Sequence, residues 1–160
     1  MTAPHLTVWP AGAATGFRRS EVSALVGRGE ETWQRAAADL LRWEVKTRSG
    51  FHVEDDQPAT AGAELIVTAR LPGVTVREPI QVMEVIDTDD RVGFSYRTLP
   101  GHPVSGEEAF IVHREGDRII VTVRSLTRPS PRQPWRALFP VLQLVQLVVR
   151  RRYLRALSFS

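Results

Sequence analysis

Apolar residues between positions 30 and 44 recur at spacings of three and four, the period of a helix with one buried face. The recurring positions are Trp33, Ala36 or Ala37, Leu40, and Leu41 or Trp43. Glu30 and Glu31 stand at the start of this stretch, where the helix dipole favours carboxylates. We predict a helix over 30–44 whose tryptophans face the core, in preference to forming the wall of a ligand site.

From Ala63 onward, short stretches alternate between apolar and polar residues, as strands with one buried face do. The pattern predicts five strands, at 64–71, 80–87, 91–97, 107–114 and 118–126. Their connections are short and rich in turn formers, which indicates an antiparallel meander. Residues 45–54 are strand-like with a break near Ser49 and Gly50, and 55–62 are typical of a loop.

Weaker patterns flank these elements. Leu6, Val8 and Trp9 suit the start of an edge strand. Residues 20–29 suit a short helical turn, built around Val22, Leu25 and Val26. Three prolines within 128–134 exclude both a helix and a central strand, so we predict a stiff connector there.

The longest apolar helix candidate covers residues 135–157. One face carries Leu138, Leu142, Val145, Val149 and Tyr153, and Leu144, Leu147 and Val148 widen it. Only a narrow polar stripe remains, at Gln143, Gln146 and Arg150. A helix that is apolar around most of its circumference is expected to be largely buried. The apolar run is too short to span a bilayer and its polar stripe too narrow for an interfacial helix, so we predict burial against the sheet and no membrane span.

A helix, a meander and a long apolar helix together predict an α+β fold, and 160 residues suffice for a single domain, 1–160, with a sizeable core. The chain has no cysteine, which excludes disulfides and fits the reducing cytoplasm. No secretory signal is visible at the start, so we expect a cytoplasmic location. The pI of about 10.1 accompanies a net charge of only +3, and Lys46 is the only lysine. Because arginine raises the pI without a strong field at neutral pH, we expect no nucleic-acid partner.

Candidate chemistry lies in the hairpin over 93–112, where prolines and glycines shape a rigid loop between two strands. The loop brings His102, Glu107 and Glu108 to one end of the sheet. A histidine beside a carboxylate can perform acid–base catalysis. Glu108 has the strand parity of Phe110, so it is the better partner for an inward site. The simpler interpretation, which we favour, is that His102 and one glutamate brace the loop by hydrogen bonds.

The hairpin also resembles a known family. The residues on which the resemblance rests are Tyr96, Thr98-Leu99-Pro100-Gly101-His102-Pro103, Gly106-Glu107-Glu108 and Phe110. They resemble the signature of the uncharacterised DUF1990 (UPF0548) family, although Arg97 stands where that family often has glycine. The family is thought to be related to the Bet v 1 and START superfamily. The resemblance therefore implies a helix-grip fold, a curved antiparallel sheet packed around a long C-terminal helix.

That fold implies a cavity between sheet and helix. The residues expected to line it are Phe94, Tyr96, Phe110, Leu142 and Val145. Arg97 and Thr98, with Tyr96, would offer donors to an anionic or carbonyl group. The simpler alternative for Arg97 is a cross-strand ion pair with Glu107 or Glu108.

We therefore expect a small protein that holds an apolar or amphipathic small molecule without transforming it. The alternative is an enzyme with His102 and Glu108 as acid and base at the pocket mouth. A third hypothesis is an interaction module that uses the arginine-rich C-terminal end and the proline connector. No cofactor is indicated, because nucleotide and hydrolase motifs are missing from the sequence. The other histidines are scattered, so we predict no metal site.

Overall fold

The computed structural model of the chain describes residues 1–12 and 15–158. Within these residues the chain forms seven strands and three helices. In chain order they are β1 (Arg18–Arg28), α1 (Glu30–Leu41), α2 (Glu44–Thr47), β2 (Phe51–Val53), β3 (Glu64–Leu71), β4 (Val74–Asp87), β5 (Arg91–Thr98), β6 (Val104–Glu115), β7 (Arg118–Pro129) and α3 (Trp135–Ala156). The expected α+β class is confirmed.

The seven strands form one antiparallel sheet in the order β1-β7-β6-β5-β4-β3-β2. Strands β3 to β7 are a meander, as the alternation predicted. Register shifts between Leu25 and Gly27 in β1 and between Val82 and Glu84 in β4 mark bulges, which bend a strand and increase its twist. The result is a curved sheet with the helices on its concave face.

Strand β1 corrects the prediction of a helical turn over 20–29. Val22, Ala24 and Val26 pack against the core and alternate with exposed residues, which is the period of a strand. The pairing partner of β1 is β7, at the far end of the sequence. The helical interpretation failed because Leu25 is apolar yet lies on the outer face, so it hid the two-residue period.

The N-terminal segment corrects the prediction of an edge strand near Leu6, because residues 1–12 form no strand. They lie on the outer face of the sheet, where arginines bind the backbone of the segment. Arg124 Nη1 donates to Ala3 O over 2.6 Å, and Arg91 Nε donates to Pro4 O over 2.6 Å. Carbonyl groups that a strand would pair with backbone amides are here satisfied by guanidinium groups.

Helix α1 ends earlier than the predicted 30–44. The chain turns at Trp43 (φ 66°) into the short helix α2, so Val45 and Lys46 are helical and only 51–53 of the strand-like stretch 45–54 forms a strand. The predicted stripe is nevertheless the buried one: Trp33, Ala36, Leu40 and Trp43 all belong to the core.

Helix α3 has the predicted extent but not the predicted burial. Along this helix, described over its whole length, Tyr153 alone is buried. Six of its apolar residues are 41% to 65% exposed: Leu138, Val141, Leu144, Val145, Leu147 and Val148. The reason is competition for the concave face, because α1 packs on β5 and β6 while α3 lies against β7 and β1 and meets α2 near its end.

A cavity between the sheet and the C-terminal helix

A cavity of about 380 Å³ lies between α3 and the concave face of the sheet. Its lining is mainly apolar, with polar groups gathered at one end. The apolar wall includes Phe51, Ala69, Val76, Leu142, Val145 and Val149, and the polar groups include Lys46, Glu78, Tyr96, His102, Glu108 and Tyr153. Pockets of roughly 300 to 1,000 Å³ with this composition are typical of small-molecule sites.

The only lysine of the chain forms the centre of the polar end. Lys46 is 2% exposed, and its Nζ donates a 2.7 Å hydrogen bond to Tyr153 Oη. The same Nζ lies 3.4 Å from Glu108 Oε1. A buried ammonium is costly unless it is paired and hydrogen-bonded, and here both conditions are met.

Aromatic rings complete the surroundings of Lys46. The Nζ atom lies 4.6 Å from the ring centroid of Phe51 and 4.9 Å from that of Tyr153. Tyr96 and Phe110 follow at 5.1 Å and 5.6 Å. Ring faces within about 6 Å attract a cation. The ammonium is therefore stabilised by one carboxylate and by rings from β2, β5, β6 and α3.

Glu108 connects this centre to β5. It is paired directly with Tyr96 in the β5–β6 ladder, and Tyr96 Oη donates to Glu108 Oε1 over 2.6 Å. Burial raises the pKa of the Tyr96 phenol well above its usual value, and the neighbouring Glu108 carboxylate raises it further. Burial has the same effect on the pKa of Tyr153. Both phenols therefore stay protonated and act as hydrogen-bonding groups.

His102 and Glu78 belong to the same polar end of the cavity. Burial, followed by the charge of Lys46, lowers the pKa of His102 from 6.5 to about 3, so the imidazole is neutral at physiological pH. Its Nδ1 accepts the Val104 amide over 3.0 Å, which leaves the proton on Nε2. Burial raises the pKa of Glu78 from 4.5 to about 6. The distance of 3.8 Å between His102 Nε2 and Glu78 Oε2 is too long for a hydrogen bond.

Hydrogen bonds brace the loop of the hairpin, and His102 takes part in them as the simpler interpretation proposed, but the second contact comes from Thr98 and not from a glutamate. His102 holds the Val104 amide, and Thr98 Oγ1 accepts the Gly106 amide over 3.0 Å. Glu107 points to the outer face, where its carboxylate accepts the Thr2 amide over 2.9 Å. The loop geometry therefore rests on His102 and Thr98.

Three arginines also line the cavity: Arg70, Arg150 and Arg152. Burial lowers the pKa of Arg150, while the nearby Glu108 carboxylate opposes that effect. Its Nε atom is buried and has no hydrogen-bond partner among the described residues. The cavity thus offers cationic donors beside an apolar wall.

Five of the predicted site residues line the cavity together: Tyr96, His102, Glu108, Leu142 and Val145. Phe94 and Phe110 do not line it, because both are fully buried in the core beneath it. Arg97 points to the other face of the sheet, since it alternates with Tyr96 along β5. Its Nε donates to Gln81 Oε1 over 2.9 Å, so the described structure shows that contact in place of the suggested ion pair with Glu107 or Glu108.

Thr98 also lies outside the main cavity. With Arg97 it lines a shallow depression of about 520 Å³ on the outer face, and it also borders a small pocket of about 40 Å³ beside Tyr96 and Glu108. Its hydroxyl is occupied by the Gly106 amide. Thr98 is therefore a residue of the hairpin brace.

Lys46 and Glu78 were not predicted as site residues. Lys46 carried one signal, as the single lysine in a chain that otherwise uses arginine. Glu78 lies on the same face of β4 as Ile80 and Val82, which are both buried. The alternation of residues along the strand therefore indicates that the Glu78 side chain faces inward. The predicted strand began at residue 80, whereas β4 begins at Val74, so position 78 fell outside the predicted strand.

Two classes of site find no support in the described part of the chain. No group of three or more histidine, aspartate or glutamate side chains there is arranged to hold a metal ion. Among the helices of the same residues, none combines the length and apolar character needed to cross a bilayer.

Comparison with known proteins identifies the family. The model of the Domain of unknown function (DUF1990) matches residues 3–156. The chain belongs to the DUF1990 family. It is 34% identical over 105 residues to a UPF0548 protein of Deinococcus radiodurans, covering 56% of this chain and 51% of that protein. A UPF0548 protein of Arabidopsis thaliana is 25% identical over 124 residues, covering 72% of this chain and 60% of that protein. The DUF1990 chain thus spans about half to three fifths of these relatives.

Solved structures share the architecture of this DUF1990 chain. The hypothetical protein jhp0584 of Helicobacter pylori superposes with a TM-score of 0.64 at 17% identity, covering 99% of this chain and 97% of that one. A START superfamily protein of Mycobacterium smegmatis gives 0.57 at 10% identity, with 89% and 95% covered. At such identities the likeness concerns the fold alone. It confirms the helix-grip, START-like arrangement that the hairpin signature implied.

Proposed function

We propose that this DUF1990 protein binds an apolar or amphipathic small molecule in the cavity beneath α3. The observation that carries the proposal is an apolar cavity of about 380 Å³ whose polar groups converge at one end. Small-molecule sites combine apolar walls with a few placed polar groups in this way. The START-like fold of its structural relatives supports the same function only by analogy.

The distribution of polar groups favours an amphipathic ligand over a purely apolar one. Lys46, Glu108 and the two tyrosines satisfy one another, so the deep end offers an ordered polar surface. Arg150, which also lines the cavity, adds a buried Nε without a hydrogen-bond partner among the described residues. A ligand with an apolar body and an acceptor group would bury the body under α3 and satisfy Arg150.

The alternative of an enzyme with His102 and Glu108 as acid and base loses its main premise. That hypothesis relied on a histidine pKa near neutrality, whereas burial lowers the pKa of His102 to about 3. The Nδ1 atom is occupied by the Val104 amide, and Glu108 is occupied by Tyr96 and Lys46. We therefore propose binding without transformation. We also propose a cytoplasmic location, since a chain without cysteine suits a reducing compartment.

A cavity-filling substitution tests the binding proposal. Ala69 lines the cavity from β3, whereas Thr68 is its neighbour on the opposite face of the same strand. Ala69→Trp should occupy the space that a ligand needs, and Thr68→Trp should not. We expect saturable, one-to-one binding of a dansyl-labelled fatty acid by the wild type and by Thr68→Trp. Ala69→Trp should weaken binding by about tenfold or more, because the apolar contact area is lost.

Native mass spectrometry of the purified protein, with analysis of its organic extract, supplies an independent measurement. A co-purified small molecule should accompany the wild type and Thr68→Trp, and it should be depleted from Ala69→Trp. Equal probe binding by the two tryptophan variants would contradict the proposal. So would a wild type that neither binds the probe nor carries any extractable molecule.

A further inference from the structure

The outward side of α3 is an apolar stripe that no described part of the chain covers. Val141, Leu144 and Val148 follow one another at spacings of three and four and are 56%, 65% and 51% exposed. Leu138 and Leu147 flank them and are 41% and 49% exposed. An exposed apolar patch of this extent is unusual for a soluble surface and marks an interaction site.

The charge on α3 and on the segment that precedes it has one sign. All 18 acidic residues of the chain lie before position 118, and the nine charged residues after Asp117 are all arginines. Arg132 and Arg136 are exposed near the start of α3, and Arg151, Arg152 and Arg155 are exposed near its end. The apolar stripe therefore lies between two cationic ends.

We propose that α3 docks on an anionic lipid surface. Its apolar stripe would enter the boundary between headgroups and acyl chains, and the arginines at both ends would contact lipid phosphates. Interfacial helices bind through apolar area together with attraction to anionic lipids. Such a helix usually needs a polar face toward water, but the inner side of α3 rests on β7 and β1, so it needs none.

Charge argues against a second copy of the chain as the occupant. In a two-fold symmetric pair the same surface meets itself, so the arginine-bearing ends of one α3 would face those of the other. The helix carries no acidic residue to neutralise them. Phosphate groups of a lipid surface supply the missing negative charge.

Docking of α3 requires no ligand in the cavity, so the two proposals can fail separately. The helix nevertheless forms part of both surfaces, because Leu142 and Val149 line the cavity, Val141 and Leu144 lie outward, and Val148 borders the cavity while remaining half exposed. A docked α3 would thus place one wall of the cavity at the lipid boundary.

Vesicle co-sedimentation tests the docking surface. The full chain should bind vesicles of phosphatidylcholine with about one third phosphatidylglycerol, and binding to phosphatidylcholine alone should be weaker by about tenfold or more. Raised salt should weaken binding to the anionic vesicles, since exposed charges are screened. Val141→Glu with Leu144→Glu should reduce it by about tenfold or more, because the two changes replace apolar contact with negative charge, and neither residue lines the cavity.

Matched controls separate the possible outcomes. Leu25→Glu changes a residue of similar exposure (46%) on the outer face of the sheet and should leave vesicle binding unchanged. The cavity-filled Ala69→Trp should also retain it, which distinguishes docking from ligand uptake. Absence of wild-type binding to the anionic vesicles would overturn the proposal. So would equal losses in Leu25→Glu and the α3 variant, or a concentration-dependent dimer in sedimentation velocity that the α3 substitutions dissolve.

Discussion

Lys46 receives its contacts from residues that are far apart in the sequence. Tyr153, its hydrogen-bond partner, lies 107 positions later, and Glu108 belongs to strand β6. The short helix α2 places the lysine there, because the left-handed turn at Trp43 redirects the chain toward the concave face. One side chain therefore ties α2 to both the sheet and α3.

We expect Lys46→Met to destabilise the protein by about 3 kcal/mol, because removing one member of a buried ion pair leaves the other charge uncompensated. Methionine keeps the apolar length of the side chain, so the loss of stability measures the contribution of the ammonium group. Urea denaturation of both proteins measures it. Glu108→Gln in the Lys46→Met background should recover part of the loss, since the orphaned carboxylate is then neutral.

The exposed pair of Arg28 and Asp117 is the control for Lys46. Its side chains are 58% and 65% exposed, so Arg28→Met should cost less than about 1 kcal/mol. If Lys46→Met costs no more than Arg28→Met, the buried pair does not stabilise the fold as described.

Glu78 and His102 should give opposite pH dependences of stability. The native pKa of Glu78 is raised to about 6, so its stabilising effect is complete below pH 4.5 and is lost as the pH rises through about 6. The native pKa of His102 is lowered to about 3, so its effect is complete above pH 6.5 and is lost as the pH falls toward about 3. Between pH 4.5 and about 6 the two effects oppose each other.

Single substitutions should expose each effect. On acidification from about pH 7 to about pH 4, the free energy of unfolding of the wild type should rise relative to Glu78→Gln by about 2 kcal/mol. Relative to His102→Gln it should fall by about 3 kcal/mol. Urea midpoints across this range provide the measurement. Parallel curves for the wild type and both variants would show that neither group titrates differently on folding.

Among the elements, β6 depends on a glycine for its approach to β7. Gly106 has φ 151°, and a Cβ atom there would lie 1.7 Å from Leu126 O. Gly106→Ala must therefore move the backbone of one strand, and we expect a loss of at least about 2 kcal/mol in a thermal or urea melt.

Gly116, in the turn between β6 and β7, is the matched control. It also has a positive φ, 63°, but a Cβ atom there would meet nothing within 4 Å. Gly116→Ala should cost only about 1 kcal/mol, because the backbone strain remains without the clash. Equal losses of stability in the two glycine variants would mean that the close approach of β6 to β7 does not determine the cost of a side chain at Gly106.

Local patterns sufficed for elements whose neighbours lie close in sequence. The existence and order of the strands from β3 to β7 followed from alternation, although β4 begins at Val74 and β6 at Val104, ahead of the predicted 80 and 107. The part of His102 in the hairpin brace followed from turn chemistry. Strand β1 did not, because its partner β7 lies at the other end of the sequence and the outward Leu25 disguised its period. The exposure of α3 was equally unpredictable, since its apolar composition does not show that α1 already occupies the centre of the concave face.

For the whole molecule, the resemblance of the hairpin indicated a cavity but not its contents. Tyr96 and Glu108 were predicted at the site because their strand parity is local information. Lys46 was not predicted, because the rings around it come from β2, β5, β6 and α3. No spacing in the sequence indicates that these four elements lie close together. Phe94 and Phe110 were assigned to the lining because alternation distinguishes inward from outward but not core from cavity.

The pairing of β1 with β7 also bears on how the protein is synthesised. Ser23 hydrogen-bonds to Thr122, 99 positions later. At about 5 to 20 residues per second, a ribosome needs roughly 5 to 20 seconds to deliver that partner after β1 has been translated. Throughout this interval the valine side chains of the nascent β1 are exposed to solvent, and its backbone hydrogen bonds to β7 have not formed. Protection by a chaperone, or by the ribosome surface, would matter most for those eleven residues.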